Sequence, residues 1–170
     1  MNLLATRQSI RKFTDADVLE EDIQKIIEIG LKAPSAGNRQ PWRIVVVKET
    51  RTIQKLADAS HGQSVVSSCK VLLAIFAVAD ESRERYGDRG ASLYSIQDTA
   101  ALTTYLLLGV HFLGYGACWV GAFNEDSVSE ILDAPSGFRP VALIPIGVPD
   151  IKPPFRPRRG FPEVVIDEHF

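Results

Sequence analysis

The sequence predicts an α+β fold: helices packed around a central mixed sheet. Three observations carry this. Helical and β-branched segments follow one another irregularly, without the strand–helix–strand repeat of a doubly wound sheet. Val71 to Ala79 is continuously apolar yet too short to cross a bilayer, which suits a central strand covered on both faces. Thr99 to Phe123 carries no Lys, Arg, Asp or Glu, but Gly109, Gly114, Gly116, Gly121 and His111 make it a poor membrane span, so it reads as a helix buried on nearly all sides.

Each element follows from local pattern. A short amphipathic N-terminal helix leads into an extended stretch around Arg7 to Arg11. Leu19 to Leu31 places Leu19, Ile23, Ile26, Ile27 and Leu31 on a helical stripe, with Glu20, Glu21 and Asp22 suiting the first turn's dipole. Ala33-Pro34 ends it. Ile44 to Val47 is a β-branched strand, and Thr50 to Ala59 a polar helix. Asp80 to Gly90 reads as a charged loop, and Ala91 to Leu113 as the long central helix, stopped at Gly114-Tyr-Gly116. A short strand is expected over Ala117 to Ala122, then a helix over Asn124 to Leu132 capped by Asn124. Val141 to Ile146 is a further strand, whose Pro145 demotes that end to an edge or a bulge. Residues 150–170 read as an extended arm, Pro- and Arg-rich at first, with Val164 to Ile166 adding a last strand.

The 170 residues fit one domain, and a formal charge of -2 with mixed signs disfavours nucleic-acid or membrane partners held by bulk electrostatics. Cys69 and Cys118 lack zinc or redox spacing and read as buried free thiols. Met1 to Gln8 shows no secretory pattern, so a cytoplasmic protein is expected. There is no GxSxG, Walker loop, GxGxxG after a strand or HExxH, and the three histidines have no obvious pairing. Hydrolase, kinase and metalloprotease readings weaken accordingly.

Four polar clusters remain. In Arg7-Gln-Ser-Ile-Arg11, Ser9 and Arg11 share a face of an extended chain and Arg7 joins them from the helix end; the set suits a phosphate, or is a solvated basic N-terminus. Ala33-Pro-Ser-Ala-Gly-Asn-Arg-Gln-Pro-Trp42 is a stiff loop in which Ser35 and Asn38 offer hydrogen bonds to a heterocycle or ribityl chain. Trp42 packs over a ligand or, at the head of a strand, in the core. Gly116-Ala-Cys-Trp-Val-Gly-Ala-Phe123 leaves backbone N–H groups open to a ligand, or packs tightly. Arg156-Pro-Arg-Arg159 is a phosphate grip, a basic tail or a weak nucleic-acid patch, the last disfavoured by the missing aromatic interleaving.

In this order and spacing the clusters resemble the FMN-dependent nitroreductase family. The likeness rests on Arg7-Gln-Ser-Ile-Arg-Lys-Phe13, Ala33 to Trp42, Gly114 to Phe123 and the Arg-rich end. It implies a nitroreductase-like fold, an intertwined homodimer on the long central helices, and two shared FMN sites. Arg7, Gln8, Ser9 and Arg11 would hold the phosphate and ring edge from one subunit; Pro34, Ser35, Ala36 and Asn38 would come from the other. Val120, Gly121 and Ala122 would lie beside the ring with a backbone donor toward N5. Arg156 and Arg158 would close on the phosphate, Arg159 competing with Arg158, and Gln63, after Gly62, would be a further FMN-binding residue. NADH or NADPH would reduce FMN and a small-molecule acceptor (nitroaromatic, quinone or flavin) would reoxidise it. No catalytic side chain and no metal are implied. The short stretch after Asp80 implies an open pocket, and Gly121 stands where some members carry an acid. Alternatives are a flavin store or redox sensor, and a specialised reductive dehalogenase or flavin-fragmenting enzyme.

Overall fold

The computed structural model describes residues 2–151, 153–154 and 156–169, so Phe155 of the arm lies outside it. Its centre is a four-stranded sheet of order β1-β2-β4-β3, comprising β1 (Trp42–Val47), β2 (Val71–Val78), β4 (Phe138–Gly147) and β3 (Gly116–Ala117). The helices are α1 (Asn2–Thr6), α2 (Glu20–Gly30), α3 (Thr50–Ala59), α4 (Ser64–Ser67), α5 (Ala79–Arg89), α6 (Ser95–Phe112), α7 (Glu125–Ile131) and α8 (Phe161–Val164). Every pairing of named strands is antiparallel, where a mixed sheet is expected.

All eight residues of β2 are buried, as the unbroken apolar run requires. Side-chain alternation divides them between two cores. Val71, Leu73 and Ile75 face Ile23 and Ile26 of α2 and Leu102, Leu106 and Val110 of α6. Leu72, Ala74 and Phe76 face Ile53 and Leu56 of α3, Val65 and Val66 of α4, and Val128 of α7. Trp42 is buried at the head of β1, and both cysteines are free and buried.

Pro145 acts differently from its sequence reading. β4 is an inner strand and the bulge falls at Ile75/Phe76 of β2. Val120 and Leu143 exchange both backbone hydrogen bonds at 2.9 Å. By antiparallel alternation the next bonded pair toward Ala117 joins Cys118 to Pro145, and Pro145 has no N–H to give. The expected strand Ala117 to Ala122 is therefore cut to Gly116–Ala117 plus a bridge at Val120.

Three other segments differ. Asp80 to Gly90 is helical, as α5, followed by a π-helical turn over Gly90–Tyr94. Its acids bridge to neighbouring arginines, which stabilises a segment without an apolar stripe. α6 is buried on one face only, leaving Tyr105 and Phe112 exposed in the single chain. In the arm, Val164 ends α8 and no strand follows among the described residues.

Candidate functional site

The extended segment after α1 is fixed by its backbone and by two glycines. Ile10 N–H donates to Ala117 O (2.9 Å), Thr14 N–H to Val148 O (2.9 Å) and Asp150 N–H to Lys12 O (3.1 Å). A Cβ on Gly116 would stand 2.7 Å from Ile10 Cγ2, and one on Gly147 would stand 2.7 Å from Phe13 Cγ. Residues 7–13 are thus seated on β3 and the end of β4.

Seated this way, the segment divides by parity. Gln8 and Ile10 line a cavity with Thr6, His111 and Tyr115. Gln8 Oε1 is buried there without a hydrogen-bond partner. The charges of Arg7 and Arg11 act on the other side, at Cys118. Burial raises the Cys118 thiol, and both guanidinium groups oppose that, Arg11 also as a hydrogen-bond donor. Neither Arg7 nor Arg11 has a carboxylate partner among the described residues.

The strand remnant beyond Cys118 offers backbone donors. Val120 N–H is taken by Leu143, whereas Gly121 and Ala122 N–H groups pair with no described residue. Gln63 Nε2 donates to Ala122 O and to Ser60 O, each at 3.0 Å, pinning the segment. Arg7, Arg11, Gln63 and Val120 to Ala122 therefore belong to one region of one chain.

The Pro34 to Gln40 loop is built separately. It turns through left-handed backbone at Gly37 (φ 54°), Asn38 (φ 57°) and Gln40 (φ 52°). Ser35 Oγ accepts Gln40 N–H (3.0 Å), closing it. Asp98, buried in the first turn of α6, accepts Ala36 N–H through Oδ1 (3.0 Å). Its Oδ2 is buried without a partner, and burial pushes its carboxyl above the ordinary value. Pro34 and Asn38 are exposed. No hydrogen bond or ion pair joins residues 34–38 to residues 7–11 among the described residues. Arg156, Arg158 and Arg159 are exposed and bond to no described residue.

Asp98 is absent from the sequence reading, because a lone acid within a predicted helix, without a partner at chemical spacing, reads as an ordinary surface position. Residues 4–70 and 61–148 match the nitroreductase family, together most of the chain. The chain belongs to the nitroreductase family. Its fold agrees with this membership. A nitroreductase family protein from Clostridium novyi is 31% identical, with a TM-score of 0.79 over 88% of this chain and 84% of that one. One from Streptococcus pneumoniae is 27% identical, with a TM-score of 0.89 over 97% and 98%. An NADH dehydrogenase from Thermus thermophilus is 31% identical over 170 residues, covering 84% of this chain and 83% of the relative. Among the described residues of this nitroreductase-family chain, no helix is long and apolar enough to cross a membrane, and no group of side chains is arranged to hold a metal ion.

Proposed function

We propose that this chain is a cytoplasmic FMN-dependent oxidoreductase, one domain over residues 1–170, that passes electrons from NADH or NADPH to electron-poor small molecules such as nitroaromatics, quinones or flavins. One observation carries the proposal: Arg7 and Arg11, without a carboxylate partner among the described residues, both act on Cys118, three residues before Gly121, whose N–H, like that of Ala122, pairs with no described residue. Two cations without an acid suit a phosphate, and two free backbone donors suit the electron-rich edge of a reduced ring. When bound, FMN supplies hydride and electron transfer, which protein side chains cannot perform.

The residues divide the work of binding and orientation. Arg7, Ser9 and Arg11 hold the phosphate, and Arg156 and Arg158 close on it from the arm. Gly121 or Ala122, rather than Val120, donates toward N5. Gln63 acts through Ala122 by fixing its carbonyl. Gln8 keeps only its backbone beside the ligand. The preformed loop of Pro34, Ser35, Ala36 and Asn38 completes the site from a second subunit, a reading supported by the absence, among the described residues, of any hydrogen bond or ion pair from it to residues 7–11 of its own chain.

Homodimerisation has its own support. Tyr105, Leu108 and Phe112 recur at helical spacing on the open side of α6, Phe112 being 66% exposed. The arm also presents Phe161, Val164 and Ile166 to solvent. A partner covering both would bury apolar surface that one chain leaves wet.

Steady-state oxidation of each nicotinamide with a quinone tests the activity. Many turnovers per flavin are expected, with donor and acceptor competing for one site. A single anaerobic bleaching without turnover would contradict the enzyme reading and favour a flavin store.

A further inference from the structure

The segment α5 holds four acids, all of them engaged. Glu81 meets Arg43 (2.5 Å), Glu84 meets Arg39, and Asp80 and Asp88 both meet Arg83. The cleft between β1 and α5 is walled by the first two of these pairs, so its charges are already matched.

Arg85 and Arg89 are left without a carboxylate among the described residues. Each lies over a tyrosine ring instead: Arg85 Cζ is 5.5 Å from the Tyr86 centroid, and Arg89 Cζ 5.5 Å from that of Tyr94. The two rings meet edge to face, 5.2 Å apart and inclined at 77°. Arg89 Nε also donates to Tyr94 Oη (3.1 Å). The Arg85 guanidinium and the Tyr86 hydroxyl hydrogen-bond to no described residue.

These two donors meet the ligand loop at one point. A Cβ on Gly37 would lie 2.4 Å from Tyr86 Oη and 3.1 Å from Arg85 Nη1. Gly37 thus makes room for them, and they stand directly against the turn between Ala36 and Asn38.

We propose that Arg85 and Tyr86 form an oxyanion-recognition subsite at the edge of the ligand site, binding a carboxylate or phosphate on a small substrate. The inference rests on the reading that the Pro34 to Asn38 loop lines that site. Stacking on Tyr86 pre-orients the guanidinium and leaves its hydrogen-bonding edge free, and the phenol adds a second donor. An oxyanion is met twice, by the guanidinium fork and by the phenol hydroxyl. The oxyanion comes from the ribose 2′-phosphate of NADPH or from an acidic group on the acceptor.

Equilibrium binding to the full chain separates the sources without requiring turnover. The probes are adenosine 2′-monophosphate against adenosine, and para-nitrobenzoate against para-nitrobenzyl alcohol. The wild type is expected to prefer the anion in at least one pair. Arg85→Gln is expected to lower that preference about tenfold, the loss of a charge-assisted fork, and Arg85→Lys to restore part of it. Arg85 is exposed, so an unchanged melting midpoint shows that the variant folds. Preference in the first pair assigns the subsite to the donor, and in the second to the acceptor. Anion preference in neither pair, or preference intact in Arg85→Gln, would overturn the proposal. Absence of turnover would sink the oxidoreductase reading and leave this binding result interpretable.

Discussion

Arg7 and Arg11 are exposed or half-exposed cations with no acid partner among the described residues, so replacing them removes no ion pair there. Their cost falls on the ligand. Each charge-assisted contact to a phosphate contributes about 1.5–3 kcal/mol, so Arg7→Ala with Arg11→Ala is predicted to weaken FMN binding at least a hundredfold with little change in melting midpoint. Fluorescence titration measures it, and unchanged retention would remove this phosphate site. Asp98 behaves oppositely, as a residue that shapes the loop from behind. Burial holds its folded carboxyl above the ordinary value of 3.8, so its contribution to stability is present below that value and is lost as pH rises through the raised one. Asp98→Asn keeps an acceptor for Ala36 without the charge. Its stability relative to the wild type should therefore improve from acid toward neutral pH in urea denaturation; a constant difference would contradict this.

At the level of elements, the site depends on how the N-terminal segment seats on β3. Gly116→Ala forces a Cβ to within 2.7 Å of Ile10 Cγ2 and 2.8 Å of Ile10 Cβ. Overpacking of this kind costs about 1–3 kcal/mol. It should also shift Arg11, so urea denaturation and FMN affinity are predicted to fall together; affinity unchanged in a destabilised variant would show that the seating does not position the arginines. The same elements show what the sequence could convey. β2, α2 and the Asn124 cap were legible because an unbroken apolar run, an apolar stripe and a cap residue mark them, and Asn124 Oδ1 does accept Ser127 N–H (2.8 Å). The helix α5 was not, since Asp80 to Gly90 has no apolar stripe and is held by ion pairs to Arg39 and Arg43, distant in sequence. The truncation of β3 was also hidden: Pro145 lies on the other strand, and only the register shows which neighbour it fails.

For the whole molecule, the α+β class could be read from the irregular order of helical and strand segments, and the family from scattered motifs, because the chemistry of binding leaves residue types in fixed order. Which motifs share a subunit is implied only by the family resemblance, since residue pattern by itself does not say how chains pair. In the single chain Arg7 and Arg11 act on Cys118, Gln63 holds Ala122 O, and the Pro34 to Asn38 loop is tied to Asp98 with no hydrogen bond or ion pair to residues 7–11 among the described residues. A homodimer on α6 should weigh twice the chain mass by light scattering, and Phe112→Glu, altering an exposed position, should shift it toward monomer. Loss of the dimer should cost flavin as well, because half of each site departs. The most direct measurement is the absorbance of the freshly purified protein together with its flavin content per chain. A yellow protein carrying one FMN per chain is predicted, and a colourless chain that stays empty in excess FMN would contradict the cofactor site at its root.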